Sequence, residues 1–113
     1  MTDPSPTPAP PTSAAAVARQ LQWPQADIDD EAKLSRLDGT VAAVNAFVRR
    51  AGRTSPDEQA LGAAMLGARL WRRRGNSEGK ATYTADAVAS AARSDPEVWM
   101  LLGLGSWAPP VVG

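Results

Sequence analysis

The densest chemical feature of the sequence is the run Arg72-Arg73-Arg74, set directly after Trp71. Guanidinium groups beside an indole suit phosphate contact, base stacking or ion pairing with carboxylates. Three consecutive residues of a helix point in three directions, so the run does not make one basic face for a single groove. A solvated helix end with ion pairs between subunits is the simpler reading, and contact with DNA is its competitor. Arg49 and Arg50 form a smaller pair of the same kind. The opposite charge gathers in Asp27, Asp29, Asp30 and Glu31. Four carboxylates so close invite a divalent cation, but the cluster lacks the glycine and distal glutamate of a calcium loop. Acids at a helix start, favoured by the helix dipole, account for it more simply.

The chain contains no histidine and no cysteine. That removes the commonest general base, the commonest metal ligand and all thiol chemistry. No serine sits in a nucleophile elbow, and no glycine-rich phosphate loop follows a strand. The expectation is a protein that is not an enzyme, with no cofactor and no metal. The 113 residues carry 12 basic and 12 acidic side chains, so the chain as a whole exerts no long-range pull on nucleic acid or membrane. Residues 1–39 hold six acids against three bases, and the remainder reverses that balance. Such a split suits head-to-tail contact between like subunits. Apolar runs are too short to cross a bilayer, and the N-terminus lacks the order of a signal peptide.

The elements that must position these groups are helices. Residues 1–12 contain Pro4, Pro6, Pro8, Pro10 and Pro11 and predict an extended, polyproline-like tail. That tail is either a loose leader or an arm that orders against a neighbouring subunit. Ser13 to Gln22 reads as a short helix capped by Ser13 and closed by Trp23-Pro24. A helix then starts in the acidic cluster and runs to about Ala51-Gly52, with Leu34, Leu37, Val41, Val44 and Val48 in one stripe. Ser55-Pro56-Asp57-Glu58 combines a capping box with the preferred first-turn proline and opens a second long helix. Its expected buried face is Leu61, Ala64, Met65, Ala68 and Trp71, with Gly62, Ala63 and Gly67 small enough to admit another helix. Residues 75–93 read as a loop or arm. Tyr83 with Thr82 and Thr84 favours a strand there, and Ala85 to Ala92 is compatible with a helical turn. Ser94-Asp95-Pro96-Glu97 offers Ser94 and Asp95 as rival caps of a last short helix holding Val98, Trp99, Leu101 and Leu102, which Gly103 and Gly105 stop.

The expected fold is all-α. Two long antiparallel helices form a small bundle with short terminal helices, an extended arm and tails. Residues 13–105 make the helical domain, and 106–113 form a C-terminal tail. Leu34, Leu37, Val41, Val44, Leu61, Met65, Ala68 and Trp71 are the expected internal contacts. Trp107, Val111 and Val112 lie beyond the last helix, where little core is left for them, which suggests burial against another chain.

Two segments in order, Arg69-Leu70-Trp71-Arg72-Arg73-Arg74 with Asn76, Ser77 and Gly79, then Asp95-Pro96-Glu97-Val98 with Leu101-Leu102-Gly103-Leu104-Gly105, resemble the head-to-tail connector (adaptor) proteins of long-tailed bacteriophages. The resemblance covers about residues 13–105. The proline-rich leader and the alanine-rich 80–93 depart from it. It implies a homo-oligomeric ring, usually a dodecamer, beneath the portal protein in the neck of the virion, assembled in the host cytoplasm. The ring extends the DNA channel, lets DNA pass without specific binding and presents a surface to the next neck or tail component. Mapped onto this chain, Trp99, Leu101, Leu102, Leu104, Trp107, Val111 and Val112 become the expected docking residues toward the portal or a neighbouring subunit. Arg49, Arg50, Arg72, Arg73 and Arg74 become the expected intersubunit or channel-lining charges. A small helical DNA-binding or packaging protein is the alternative.

Overall fold

A computed structural model describes residues 10–73 and 83–105. Among these residues all regular structure is helical. The order is α1 (Ala14–Gln20), α2 (Gln25–Ile28), α3 (Glu31–Leu34), a 3-10 turn (Ser35–Leu37), α4 (Asp38–Ala51), α5 (Pro56–Arg73), α6 (Ala85–Arg93) and α7 (Pro96–Leu101).

Helix α1 begins as its sequence directs, with the Ser13 Oγ accepting from the Ala16 amide at 3.2 Å. It ends in a Schellman arrangement: the Trp23 amide donates to Ala18 O and the Gln22 amide to Arg19 O. Gln22 takes the left-handed conformation, φ 61°, at a position where glycine is usual. The indole of Trp23 thereby turns back over the helix and meets Trp71 edge to face, with ring centroids 6.2 Å apart.

The single helix expected from the acidic cluster to Ala51 is instead broken into four pieces. The break is local chemistry. Asp30 has extended backbone, and its carboxylate accepts from the amides of Ala32 and Lys33. A short acidic side chain competes in this way with continuous helix. Asp27 pairs with Lys33 at 2.6 Å, and Asp29 accepts from the Gln25 amide side chain at 2.8 Å. The carboxylates thus cap and pair within their own turns. The hydrogen bond from Lys33 to Asp27, and then the charge of Asp27, raises the Lys33 pKa above its usual value. This contribution to stability is therefore present below pH 10.5 and lost as the pH rises through the raised value.

Helix α5 is the hub, packed against α1, α4, α6 and α7. It starts with the expected box: the Ser55 Oγ donates to Glu58 Oε1 at 2.9 Å and accepts weakly from the Glu58 amide. Because neighbours lie on several sides, burial wraps most of its circumference. Gly62, Ala63, Ala64, Leu66, Gly67, Ala68 and Leu70 are all buried. The predicted stripe was too narrow: Leu61 is 45% exposed, while Met65 and Trp71 are half-buried. The small residues serve two different partners. A Cβ at Gly62 would lie 2.9 Å from Leu102 of α7, and one at Gly67 would lie 2.7 Å from Val17 of α1.

Two apolar clusters result. The larger joins Val44, Phe47 and Val48 of α4 to Leu66 and Leu70 of α5, Val88 of α6, and Val98 and Leu102 at α7. The smaller holds Val17, Ala18, Ile28 and Leu37, with Leu34, Val41, Trp23 and Trp71 packed against it. The stripe of α4 and its preceding turn therefore divides between the clusters, Leu37 facing one while Val44 and Val48 face the other.

The expected loop or arm over 75–93 is corrected in its second half. Residues 85–93 are helix α6, capped by Thr84 Oγ1 on the Ala87 amide, and Val88, Ala91 and Ala92 are buried. Alanines spaced three and four apart supply both helix propensity and a flat face for packing. Tyr83 is not in a strand: its hydroxyl donates to Leu70 O and accepts from the buried Thr40 hydroxyl. The rest of that segment, with residues 1–9 and 106–113, lies outside the described residues.

Candidate functional site

The two segments singled out in the sequence meet at a joint between the end of α5 and the start of α7. Asp95 is its centre. Its Oδ1 accepts from the amides of Glu97 and Val98, capping α7. Its Oδ2 accepts from Nε of Arg69, one residue before Leu70 of the arginine-rich segment. The carboxylate is nearly buried, at 9% exposure, whereas the Arg69 side chain is 44% exposed. Ser94, the rival cap, turns away: its hydroxyl donates to Ala91 O and accepts from Arg73 Nη2. One acidic side chain thus fixes a helix start and ties it to the hub helix.

Replacing Asp95 tests this double role. Asp95→Ala is expected to cost about 1–3 kcal/mol, from about 0.5–2 for the cap plus about 0.2–1 for a pair whose arginine is half in water. Asp95→Asn keeps an acceptor for both amides and should recover most of the loss. Denaturant midpoints of the two variants check this, and equal losses would show that the ion pair, not the cap, carries the effect.

The other arginines divide. Arg72 donates from Nη2 to Gln20 O at the end of α1, so both Arg72 and Arg73 are engaged inside the subunit while remaining exposed. Arg49 and Arg50 are exposed at the end of α4. Next to them, Arg53 donates to the carbonyls of Arg50 and Gly52. Arg74 lies outside the described residues.

The expected docking residues divide as well. Leu102 is fully buried and belongs to the larger cluster, so its side chain is core and not surface. Val98 and Leu102 are four apart and face inward, which turns Met100 outward at 69% exposure. Helical periodicity alone held that signal, and the sequence reading did not use it. Trp99, Leu101 and Leu104 are half-buried. The Trp99 indole N–H donates to Gly105 O at 3.1 Å, and the Arg93 guanidinium lies 5.9 Å from the indole ring centroid. Leu61 and Met100 flank the contact between Gly62 and Leu101. Trp107, Val111 and Val112 lie outside the described residues.

The end of α7 is bolted to the connection between α4 and α5. The Arg53 amide donates to Leu102 O at 2.8 Å and the Thr54 hydroxyl to Leu101 O at 2.6 Å. Orphan carbonyls at the helix end are thereby satisfied by the corner of the α4–α5 pair. Among the described residues no group of His, Asp or Glu is placed to hold a metal ion, and no helix is long and apolar enough to cross a membrane. No protein-family model, no curated protein and no solved structure matches this chain.

Proposed function

We propose that the chain is a structural virion subunit of a long-tailed bacteriophage, a head-to-tail connector without enzymatic activity. Copies form a ring, a dodecamer in this reading, beneath the portal in the neck, extend the DNA channel and offer the next neck or tail component a surface. Helices α4 and α5 are its long antiparallel pair. The observation that carries the reading is the α5–α7 joint: the two segments behind the resemblance, separated by a variable stretch, are physically linked through Arg69, Asp95, Arg73 and Ser94. A linked pair explains why both segments occur together, because neither half holds its geometry alone.

In this reading the docking surface centres on Met100, Leu101 and Leu61, with the tail residues Trp107, Val111 and Val112 completing it. Arg49 and Arg50, exposed at the end of α4, are the charges left for a neighbouring subunit or the channel wall. Negative-stain imaging of the purified chain mixed with the portal protein of the same virus tests the proposal, with ring density expected below the portal. A chain that stays monomeric at all concentrations and leaves the portal bare overturns it. Truncation after Gly105 is expected to abolish portal attachment, and a truncated chain that still binds removes the tail from the docking surface. Tight, salt-sensitive binding of the isolated chain to duplex DNA would favour the packaging alternative.

A further inference from the structure

The end of the proline-rich leader is held by a buried side-chain amide. Asn45 of α4 is 8% exposed. Its Oδ1 accepts from the Thr12 amide at 2.9 Å, and its Nδ2 donates to Thr12 O at 3.1 Å. Both backbone groups of Thr12 are thus paired as a neighbouring strand would pair them, whatever its side chain. Followed backward from Thr12, the chain runs along α4 toward its C-terminal end. There Pro11 and Pro10 form one wall of a groove of about 450 Å³, opposite Val48, Arg49, Gly52 and Gln59.

We propose that this groove, at the corner of α4 and α5, is the seat of the chain's own residues 1–9, laid along it as a continuation of the strand that Asn45 holds. Three observations argue for that occupant. The groove lies directly ahead of Pro10, so the missing chain begins inside it. Residues 4–9 read Pro-Ser-Pro-Thr-Pro-Ala, with no charge, which suits walls that are mainly apolar. An extended proline-rich strand also leaves its carbonyls unpaired. The Gln59 side chain lines the groove half-buried and makes no hydrogen bond to another described residue, so its amide meets that need as Asn45 does for Thr12. Gly52 keeps the floor clear, since a Cβ there would come within 3.3 Å of the Gln59 amide nitrogen. At about 3.1 Å per residue, Thr7 would lie about 9 Å beyond Pro10, abreast of Gln59. The seat is independent of the ring and does not rest on the connector reading.

The lack of cysteine makes the test clean. A full-length Thr7→Cys chain carrying a nitroxide and uniform nitrogen-15 should lose most of the amide signal intensity of Arg49, Gly52, Gln59 and Ala60. Reduction of the nitroxide should restore it. Unchanged intensities overturn the proposal. So does loss of those signals in a mixture of nitrogen-15 chain with separately spin-labelled, unlabelled-nitrogen chain, which would mean that the leader crosses to a second copy. Because the label sits outside the packed core, neither outcome depends on a variant that fails to fold.

Discussion

Gly103→Ala is expected to destabilise the subunit by about 2–5 kcal/mol. Two costs combine. Gly103 has φ +64°, and the left-handed conformation costs an L-residue about 1–2 kcal/mol. The new Cβ would also lie 2.6 Å from Thr54 Cγ2 and 2.9 Å from the Arg53 carbonyl. Backbone cannot swing aside as a side chain does, and overpacking of this kind adds about 1–3 kcal/mol. Gly103 further closes α7, with its own amide donating to Met100 O and the Leu104 amide to Trp99 O. Gly105 is the control. It too has positive φ, +105°, but a Cβ there meets nothing within 4 Å. Gly105→Ala should therefore show only the conformational cost, and the difference between urea midpoints measures the docking of α7 on the 53–54 corner. Equal losses at the two glycines would refute that docking.

Leu102→Ala is the second large effect, also about 2–5 kcal/mol, for removing a fully buried leucine from a core. Its value lies in comparison with Met100→Ala, two residues earlier on the same turn. Met100 is 69% exposed, so its truncation should move stability by no more than about 0.5 kcal/mol. If the outer face of α7 docks onto the portal, Met100→Ala weakens attachment in a fully folded subunit, whereas Leu102→Ala acts through unfolding. Thermal melts paired with portal co-sedimentation separate the two. Retained attachment in the Met100 variant would take this residue out of the docking surface.

The division between inner and outer residues of α7 shows where sequence reading reaches its limit. Trp99, Leu101, Leu102 and Leu104 look alike as a string of large apolar residues. Which of them is core depends on where α5 and the 53–54 corner approach, and no local pattern carries that. The same holds for the arginine run. Its members were grouped by adjacency, yet Arg72 reaches back to α1 and Arg73 to Ser94. The residue of greatest structural consequence, Arg69, stands outside the run because only its turn of the helix faces Asp95.

What the sequence by itself determined is the local chemistry. Ser13, the Ser55-Pro56-Asp57-Glu58 box and the glycines after Leu102 specify helix starts and stops, because caps bind amides and carbonyls only a few residues away. The absence of histidine and cysteine closed whole classes of chemistry for the same elementary reason. Tertiary structure alone decided the rest. It broke the acidic helix at Asp30, turned 85–93 into a packed helix by offering its alanines an apolar surface, and buried α5 on nearly every side. Above all, it brought the arginine-rich end of α5 onto Asp95, 26 residues away from Arg69. A carboxylate with two acceptor oxygens can cap a helix and hold a guanidinium together, and only the folded chain shows which guanidinium arrives.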